Sequence, residues 1–396
     1  MPVSSLHSPK LRARAVSFIQ FVHALEFMAL TPLFVWMAID LDVPPAYAGY
    51  AGAIYMGAAA LSGVLASRWM HSAPLRGLLL IALLLLGLLT AMAAISTQFS
   101  FFLLLRMGAG LLGGFLMSAA MTLLLTDMDA KERTQAIAIV VSAFALVSVV
   151  GMPATLFIAV HAGWRSAMFV LAGLCLLACL IAWRYLPATP NSTIRPEHST
   201  LGKSAWRWLS LPAIAQAGSL LLIPVLIPVL GLRYGTQPSQ MPGIFILGGI
   251  AALFASRLSA LGIKKWGEAF IADLGTLLLL LSLALLALAW GDAYIFMTLF
   301  MAGTYTRLVC ASAWSAAYPT PSQRGRFMAL QTTGNHVGSF IALAIPSLLL
   351  SDPPISSKSL NSLLILAAAV AIVLPLLMRR TRKGAEQSQP QKALPE

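Results

Sequence analysis

Runs of about 20 apolar residues follow one another along nearly the whole chain, and that succession decides what it can fold into. A helix of this length spans a hydrocarbon core of roughly 30 Å, and backbone in lipid must satisfy its own hydrogen bonds. The runs fall at about 15–38, 46–67, 75–95, 99–126, 134–160 and 164–186, then at 209–232, 241–263, 268–290, 293–317, 326–350 and 359–378. Between the two groups lies the polar stretch "LPATPNSTIRPEHSTLGKSAWRW". The expected fold is an all-α polytopic membrane protein of twelve transmembrane helices. Residues 1–186 form an N-terminal six-helix half, 187–207 a cytoplasmic linker, 208–379 a C-terminal half and 380–396 a disordered cytoplasmic tail. Pro212, Pro224 and Pro228 mark the seventh run as irregular, because each removes a backbone donor.

Charge fixes the orientation. Only 10% of the residues are charged, against about 25% in soluble domains, so no soluble basic domain exists to explain a net charge of +13 by nucleic-acid binding. With the N-terminus placed in the cytoplasm, only Arg165, Arg233 and Lys358 of the 26 Lys and Arg fall on the far side, and Arg106 and Arg307 fall within spans. This is a strong positive-inside bias, and it puts both termini in the cytoplasm, as in a bacterial inner membrane. The first run resembles a signal peptide in its basic flank, but it is long, contains Glu26 and has no small-x-small cleavage site. It reads as a retained span. Cys175, Cys179 and Cys310 all lie in apolar runs and read as packing residues. No metal or cofactor is implied.

The halves echo each other. "LASR" (Leu65 to Arg68) returns as "FASR" (Phe254 to Arg257), and "ERTQAIAI" (Glu132 to Ile139) as "QRGRFMAL" (Gln323 to Leu330), both about 190 residues on. Each pair occupies the equivalent loop, the mark of a tandem duplication.

At these residues the chain resembles the major facilitator superfamily. The family's loop after the second span reads Gly-x-Leu-Ala-Asp-Arg-x-Gly-Arg-Arg. Gly63, Leu65, Ala66 and Arg68 match it, Ser67 replaces the aspartate, and Met70 and His71 replace a glycine and an arginine. Arg106 and Gly110 match the family's Arg-x-x-x-Gly in the fourth span. "VVGMPAT" is similar to the antiporter Gly-Pro pair, with Met152 between Gly151 and Pro153, and Trp164, Arg165 and Phe169 match the entry to the sixth span. The pattern is most similar to the drug-exporter branch, with degenerate motifs. The resemblance implies a monomer working by alternating access, with a substrate site between the halves and a gating-loop motif of Gly63, Ser67 and Arg68 with Arg133, Arg257 and Arg324. Serine at 67 takes the charge from the family's latch.

Charges in a bilayer core are costly and usually face a bundle interior or a wet cavity. Spans three, six, nine and twelve have almost nothing polar in their middles and read as lipid-facing. Asp273, near the end of the ninth, is expected to pair with the basic loop before it. The ionisable residues gather in spans one, four, ten and eleven, which the resemblance places around the cavity. At 1.5 Å per residue Glu26, His336 and Arg307 lie roughly 15–20 Å deep, near mid-bilayer. Burial and a nearby arginine pull a carboxyl's proton affinity in opposite directions, which suits Glu26 as a proton carrier, with His23 and His336 beside it. Arg106, Arg307, Gln20, Gln216, Tyr305, Gln331 and Asn335 are the candidate substrate contacts, with Trp36, Tyr55 and Thr306 as further lining. A bland reading stands alongside: Glu26 as a fixed partner of Arg106, and the histidines as interhelical hydrogen bonders. One carboxylate against two arginines favours an anionic or zwitterionic substrate, such as a siderophore or sugar derivative, over a lipophilic cation. Proton-coupled efflux is the reading, with uptake of a small organic anion as the alternative. A membrane-embedded transferase would need a sizeable polar loop with paired carboxylates, and a channel would not need two matching halves.

Overall fold

The computed structural model describes residues 8–69, 74–125, 128–187, 201–202, 204–320, 323–350 and 356–388. The N-terminal half comprises α1 (Pro9–Asp40), α2 (Ala48–Trp69), α3 (Leu75–Ile95), α4 (Phe99–Leu125), α5 (Ala130–Leu146) and α6 (Met152–Tyr185). The C-terminal half comprises α7 (Ala205–Leu209), α8 (Leu211–Leu220), α9 (Leu226–Tyr234), α10 (Met241–Leu288), α11 (Ala293–Ala316), α12 (Arg324–Leu349) and α13 (Ser357–Ser388).

Among the described residues, nine helical stretches are long and apolar enough to cross a membrane. Two of them are too long to be single passes. Pro238–Leu288 would extend roughly 75 Å as one rod, more than twice a hydrocarbon core of about 30 Å. It breaks at Gly267 (φ 80°), and Val147–Tyr185 breaks at Gly163 (φ 83°). At each break one left-handed glycine turns the chain where a side chain would be strained. With α12, whose polar residues lower its hydropathy, the passes come to twelve.

Sequence chemistry sets the other ends. Ser8 caps α1, and Asp292 caps α11 by accepting from the amides of Tyr294 (2.8 Å) and Ile295 (2.9 Å). The acidic cluster "DMDAKER" opens α5 as a capping box, in which Asp129 and Glu132 each accept the other's amide. Pro212, Pro224 and Pro228 break the seventh pass into α8, a 3-10 turn and α9.

Exposed Leu84 and Leu88 on α3, Leu180 on α6, Leu277 on α10 and Ile365 on α13 give these passes outward faces, as lipid-facing helices require. Asp273 pairs with Arg379 of α13 at 2.7 Å, and not with the basic loop that precedes it. The last pass, next to it in space, supplies the nearer cation. The helix of α13 runs on to Ser388, past the boundary expected at 379.

Candidate functional site

The polar residues buried in the N-terminal half come together. Glu26 on α1 and Arg106 on α4 form an ion pair, each about 1% exposed. Thr90 Oγ1 on α3 lies 3.3 Å from the same Glu26 oxygen and 2.8 Å from the carbonyl of Leu86, so its one proton is shared. The guanidinium of Arg106 sits over the ring of Tyr55 on α2, 4.7 Å from its centroid. The Tyr55 hydroxyl in turn lies 3.2 Å from His23 Nε2. Glycines of α4 make this convergence possible. Gly110 abuts the backbone of Tyr55, and a Cβ at Gly113 would fall 2.9 Å from His23 Nε2.

The cluster is incompletely satisfied. Glu26 Oε2 and Arg106 Nε and Nη2 are buried without a hydrogen-bond partner. Buried polar atoms are nearly always paired, and exceptions concentrate where chemistry or an internal water is needed.

The C-terminal half repeats the plan without the carboxylate. Arg307 on α11 is fully buried and donates to Thr276 Oγ1 on α10 (2.8 Å), the Ala371 carbonyl on α13 (2.7 Å) and the Ala215 carbonyl on α8 (3.3 Å). In each half the fourth pass supplies an arginine, the third a threonine and the first an acceptor. Where the N-terminal half uses a glutamate, the C-terminal half uses a main-chain carbonyl. The two arginines differ in depth by about two helical turns, roughly 10 Å.

Both arginines are therefore enclosed within their own halves, and neither lines the face between them. The sequence expectation that Glu26, Arg106 and Arg307 converge on one cavity does not match this placement. Helical spacing gives a residue's depth but not the neighbour its side chain meets. Tyr305 of the expected set does reach across the halves. The hydroxyl of Tyr305 on α11 is 3.0 Å from that of Ser148. Gln331 is buried and donates to Ser315 Oγ on α11. Asn335 and Gln216 are half-buried, Gln20 is buried, and Asn335 Oδ1 is unpartnered. Thr306 accepts from Ser259 Oγ at 3.1 Å inside the C-terminal half.

The halves touch at one end. Ser347 Oγ on α12 donates to the Ala46 carbonyl at 2.6 Å, and Gly49 of α2 abuts the Leu343 carbonyl. Further along α2, a Cβ at Gly57 would meet Phe340 at 3.1 Å, and one at Gly63 would touch Thr333 Oγ1 at 4.0 Å. On the other flank, Gly249 of α10 abuts the Ser148 carbonyl. Ser148 lies in a π turn, Val147–Gly151, that precedes Pro153. Proline has no N–H, so carbonyls upstream lose a helical partner, and α10 packs on one of them. The Gly151/Pro153 motif thus builds a contact surface between the halves. At the touching end, Val35, Trp36 and Ile39 of α1 and Ile227 and Pro228 of α9 help line an apolar pocket of about 250 Å³.

Asp40, at the end of α1, accepts from Trp164 Nε1 (2.9 Å) and pairs with Arg165. The Trp-Arg motif therefore ties α1 to the Gly163 turn. Of the gating-loop set, Arg133 and Arg257 are exposed. The side chains of Ser67, Arg68 and Arg324 lie outside the described residues, as does most of the expected linker. Sequence reading missed Thr90, Ser148 and Thr276. The available signal was a hydroxyl among leucines: Thr90 alone in its pass, Thr276 with only Ser282 beside it.

Comparison with known proteins agrees with this architecture. The chain is 27% identical over 190 residues to the uncharacterized MFS-type transporter YbcL of Bacillus subtilis (strain 168), covering 47% of this chain and 48% of that protein. It is 25% identical over 262 residues to the uncharacterized MFS-type transporter YtbD of the same organism, covering 63% and 65%. The chain thus spans less than two thirds of the length of either relative. A bacterial homologue of the human lysosomal transporter Spinster, solved inward-facing and unoccupied, superposes with a TM-score of 0.74 at 13% identity over 99% of this chain and 100% of that one. The nucleoside transporter NupG superposes with a TM-score of 0.72 at 15% identity, over 94% and 99%. At such identities the likeness concerns the fold alone. Residues 16–315 match the description of the Major Facilitator Superfamily, and on that match and this fold the chain belongs to the major facilitator superfamily of transporters.

Proposed function

We propose that the protein is a secondary active transporter that exchanges protons for a small organic molecule by alternating access, exporting the molecule across a bacterial inner membrane. Glu26 is the proton carrier. The observation behind this reading is the half-made ion pair: one carboxylate oxygen holds Arg106 and Thr90, and the other is buried and free. A carboxyl so placed can take a proton on Oε2 without first breaking a second hydrogen bond. Protonation weakens its hold on Arg106 and with it the packing of α1 on α4. Tyr55 relays this change from Arg106 to His23. The two halves, on one chain, rock about the contacts of α2 with α12 and of the Val147–Gly151 turn with α10, as a monomer. Export is favoured over uptake by the resemblance of Gly151 and Pro153 to the antiporter Gly-Pro pair.

Enclosure of both arginines removes the geometric basis for requiring an anionic substrate. The test panel therefore spans carboxylates, zwitterions, drug-like cations and nucleosides, the last because a nucleoside transporter shares the fold. The test is proton release from purified protein on substrate addition, followed by proton-driven flux in proteoliposomes. Wild type should release protons on binding a panel member and Glu26→Gln should not. Binding with no release in either protein would make Glu26 a fixed partner of Arg106 and sink the proposal.

A further inference from the structure

The apolar pocket at the touching end is built by both halves. α1 contributes Trp36 and Ile39, α9 contributes Ile227 and Gly231, the bend after α9 contributes Thr236, and the start of α10 contributes Met241. Its origin lies in the local sequence. Gly231 leaves out a side chain between Leu230 and Leu232, and a Cβ there would have only the Thr236 carbonyl within 4 Å, at 3.7 Å. Gly235 then ends α9 in the left-handed region (φ 65°), which glycine adopts without strain. The chain turns there and brings Thr236 back over the gap. Ile39 is exposed, which leaves the pocket open to an entering molecule.

Three features of the pocket decide what it can hold. The first is size: its volume is about 250 Å³. An apolar protein cavity of about 150 Å³ takes up benzene, so a substituted ring of about ten heavy atoms fits here. The second is the lining, which is apolar apart from the Trp36 indole and the Thr236 hydroxyl. That hydroxyl is buried without a hydrogen-bond partner, a condition that buried polar groups rarely show. The third is charge. Among the described residues no ionisable side chain lines the pocket. Asp40, next to Ile39, is taken up by Trp164 and Arg165, and Arg233 of α9 donates to Asn361 at 3.2 Å. An apolar ring carrying one neutral hydroxyl answers all three.

We propose that this pocket is a binding site for a small neutral phenol-like molecule, which holds the touching end shut. The ring packs on Trp36 and Ile227, and its hydroxyl meets Thr236 Oγ1. With α1 on one side and α9 and α10 on the other, parting the halves at this end dismantles the site. A ligand that binds only the closed arrangement shifts the population towards it by mass action. Occupancy therefore halts the exchange cycle. The site is inhibitory, and Trp36 stands about 15 Å further along α1 than Glu26. This inference rests on the alternating-access reading and adds to it a ligand other than the transported molecule.

The experiment uses full-length protein in lipid nanodiscs and three probes. They are 4-bromophenol, whose bromine quenches tryptophan fluorescence, 4-propylphenol, and propylbenzene, which lacks the hydroxyl. Quenching of Trp36 is read as the difference between wild type and Trp36→Phe. It should saturate with 4-bromophenol, be reversed by 4-propylphenol, and vanish in Gly231→Leu, whose side chain fills the gap. Propylbenzene should compete about fivefold more weakly, the worth of one neutral hydrogen bond, and Thr236→Val should erase that difference. Closure is followed by pulsed electron resonance, with the three cysteines replaced by alanine and spin labels on Asp42→Cys and Lys358→Cys, one on each half. At about ten times its Kd, 4-propylphenol should raise the closed-to-open ratio about tenfold. Quenching that never saturates, or that survives in Gly231→Leu, is partition into lipid and overturns the site. If Gly231→Leu does not fold, the hydroxyl comparison decides: equal competition by 4-propylphenol and propylbenzene in wild type overturns the assignment. Saturable binding with an unchanged ratio overturns the closing role. If the labels also ignore a bound panel compound, the alternating-access reading falls with it; if that compound moves them, only this inference falls.

Discussion

Arg106 meets Glu26 through one guanidinium nitrogen and one carboxylate oxygen, leaving Glu26 Oε2 and Arg106 Nε and Nη2 buried without partners. Removing one member of a buried pair costs more than removing both, because the survivor keeps its desolvation penalty. Arg106→Ala should therefore destabilise the protein by about 3–5 kcal/mol, whereas Glu26→Gln combined with Arg106→Met should recover most of that loss. Thermal unfolding of the purified variants in one detergent checks the order. Additive losses in the double variant would show that the pair is not a coupled unit.

Thr90 and Thr276 occupy matching places in the two halves, but their partners differ. Thr90 shares its proton between Glu26 and its own helix, while Thr276 is the only side-chain acceptor among Arg307's described hydrogen bonds. Thr90→Val should cost about 1 kcal/mol, and Thr276→Val, which leaves a buried guanidinium with one acceptor fewer, about 1.5–3 kcal/mol. The same unfolding assay ranks them. Equal losses would mean that the Arg307 cluster repacks around another acceptor.

Much of the fold was legible because lipid leaves so few options. Apolar runs, a positive-inside bias and a repeat at about 190 residues define twelve passes, and the prolines of the seventh pass foretell its breaks. Facing was harder to read. Glu26 lies near the middle of α1, yet it turns toward Thr90 on α3, a pass whose leucines read as scaffold. Arg307 looks like a binding charge in sequence because its acceptors are mostly backbone carbonyls, which carry no sequence signal. Gly151 and Pro153 were visible as a motif. That Gly151 ends a π turn on which α10 packs is visible only through Gly249, a hundred residues away.

Gly249 tests that contact. A Cβ there would run into the Ser148 carbonyl, and the close approach joins the two halves without being part of either one's core. Gly249→Val should hold the Val147–Gly151 turn and α10 apart, cutting transport strongly while leaving the protein monodisperse and its melting temperature little changed. Gly303→Val is the control: its Cβ would meet the Leu279 and Gly275 backbone inside the C-terminal half, so it should lose stability as well. If Gly249→Val transports normally, the contact of α10 with the Val147–Gly151 turn is not a working surface of the cycle.

The two turning glycines predict a sign reversal against a third. Gly163 and Gly267 have nothing within 4 Å of a built Cβ but stand at φ 83° and 80°, so the cost of alanine there is backbone strain alone, about 1–2 kcal/mol. Gly173 of α6 has equally open surroundings and an ordinary helical backbone, so alanine should stabilise it by about 0.5–1 kcal/mol. Space is the same at all three sites and only the dihedral differs. Melting temperatures of Gly163→Ala and Gly267→Ala should fall while that of Gly173→Ala rises. A fall at all three would point to lipid or packing contacts at these glycines, and would remove the argument that strain at single residues sets the two turns.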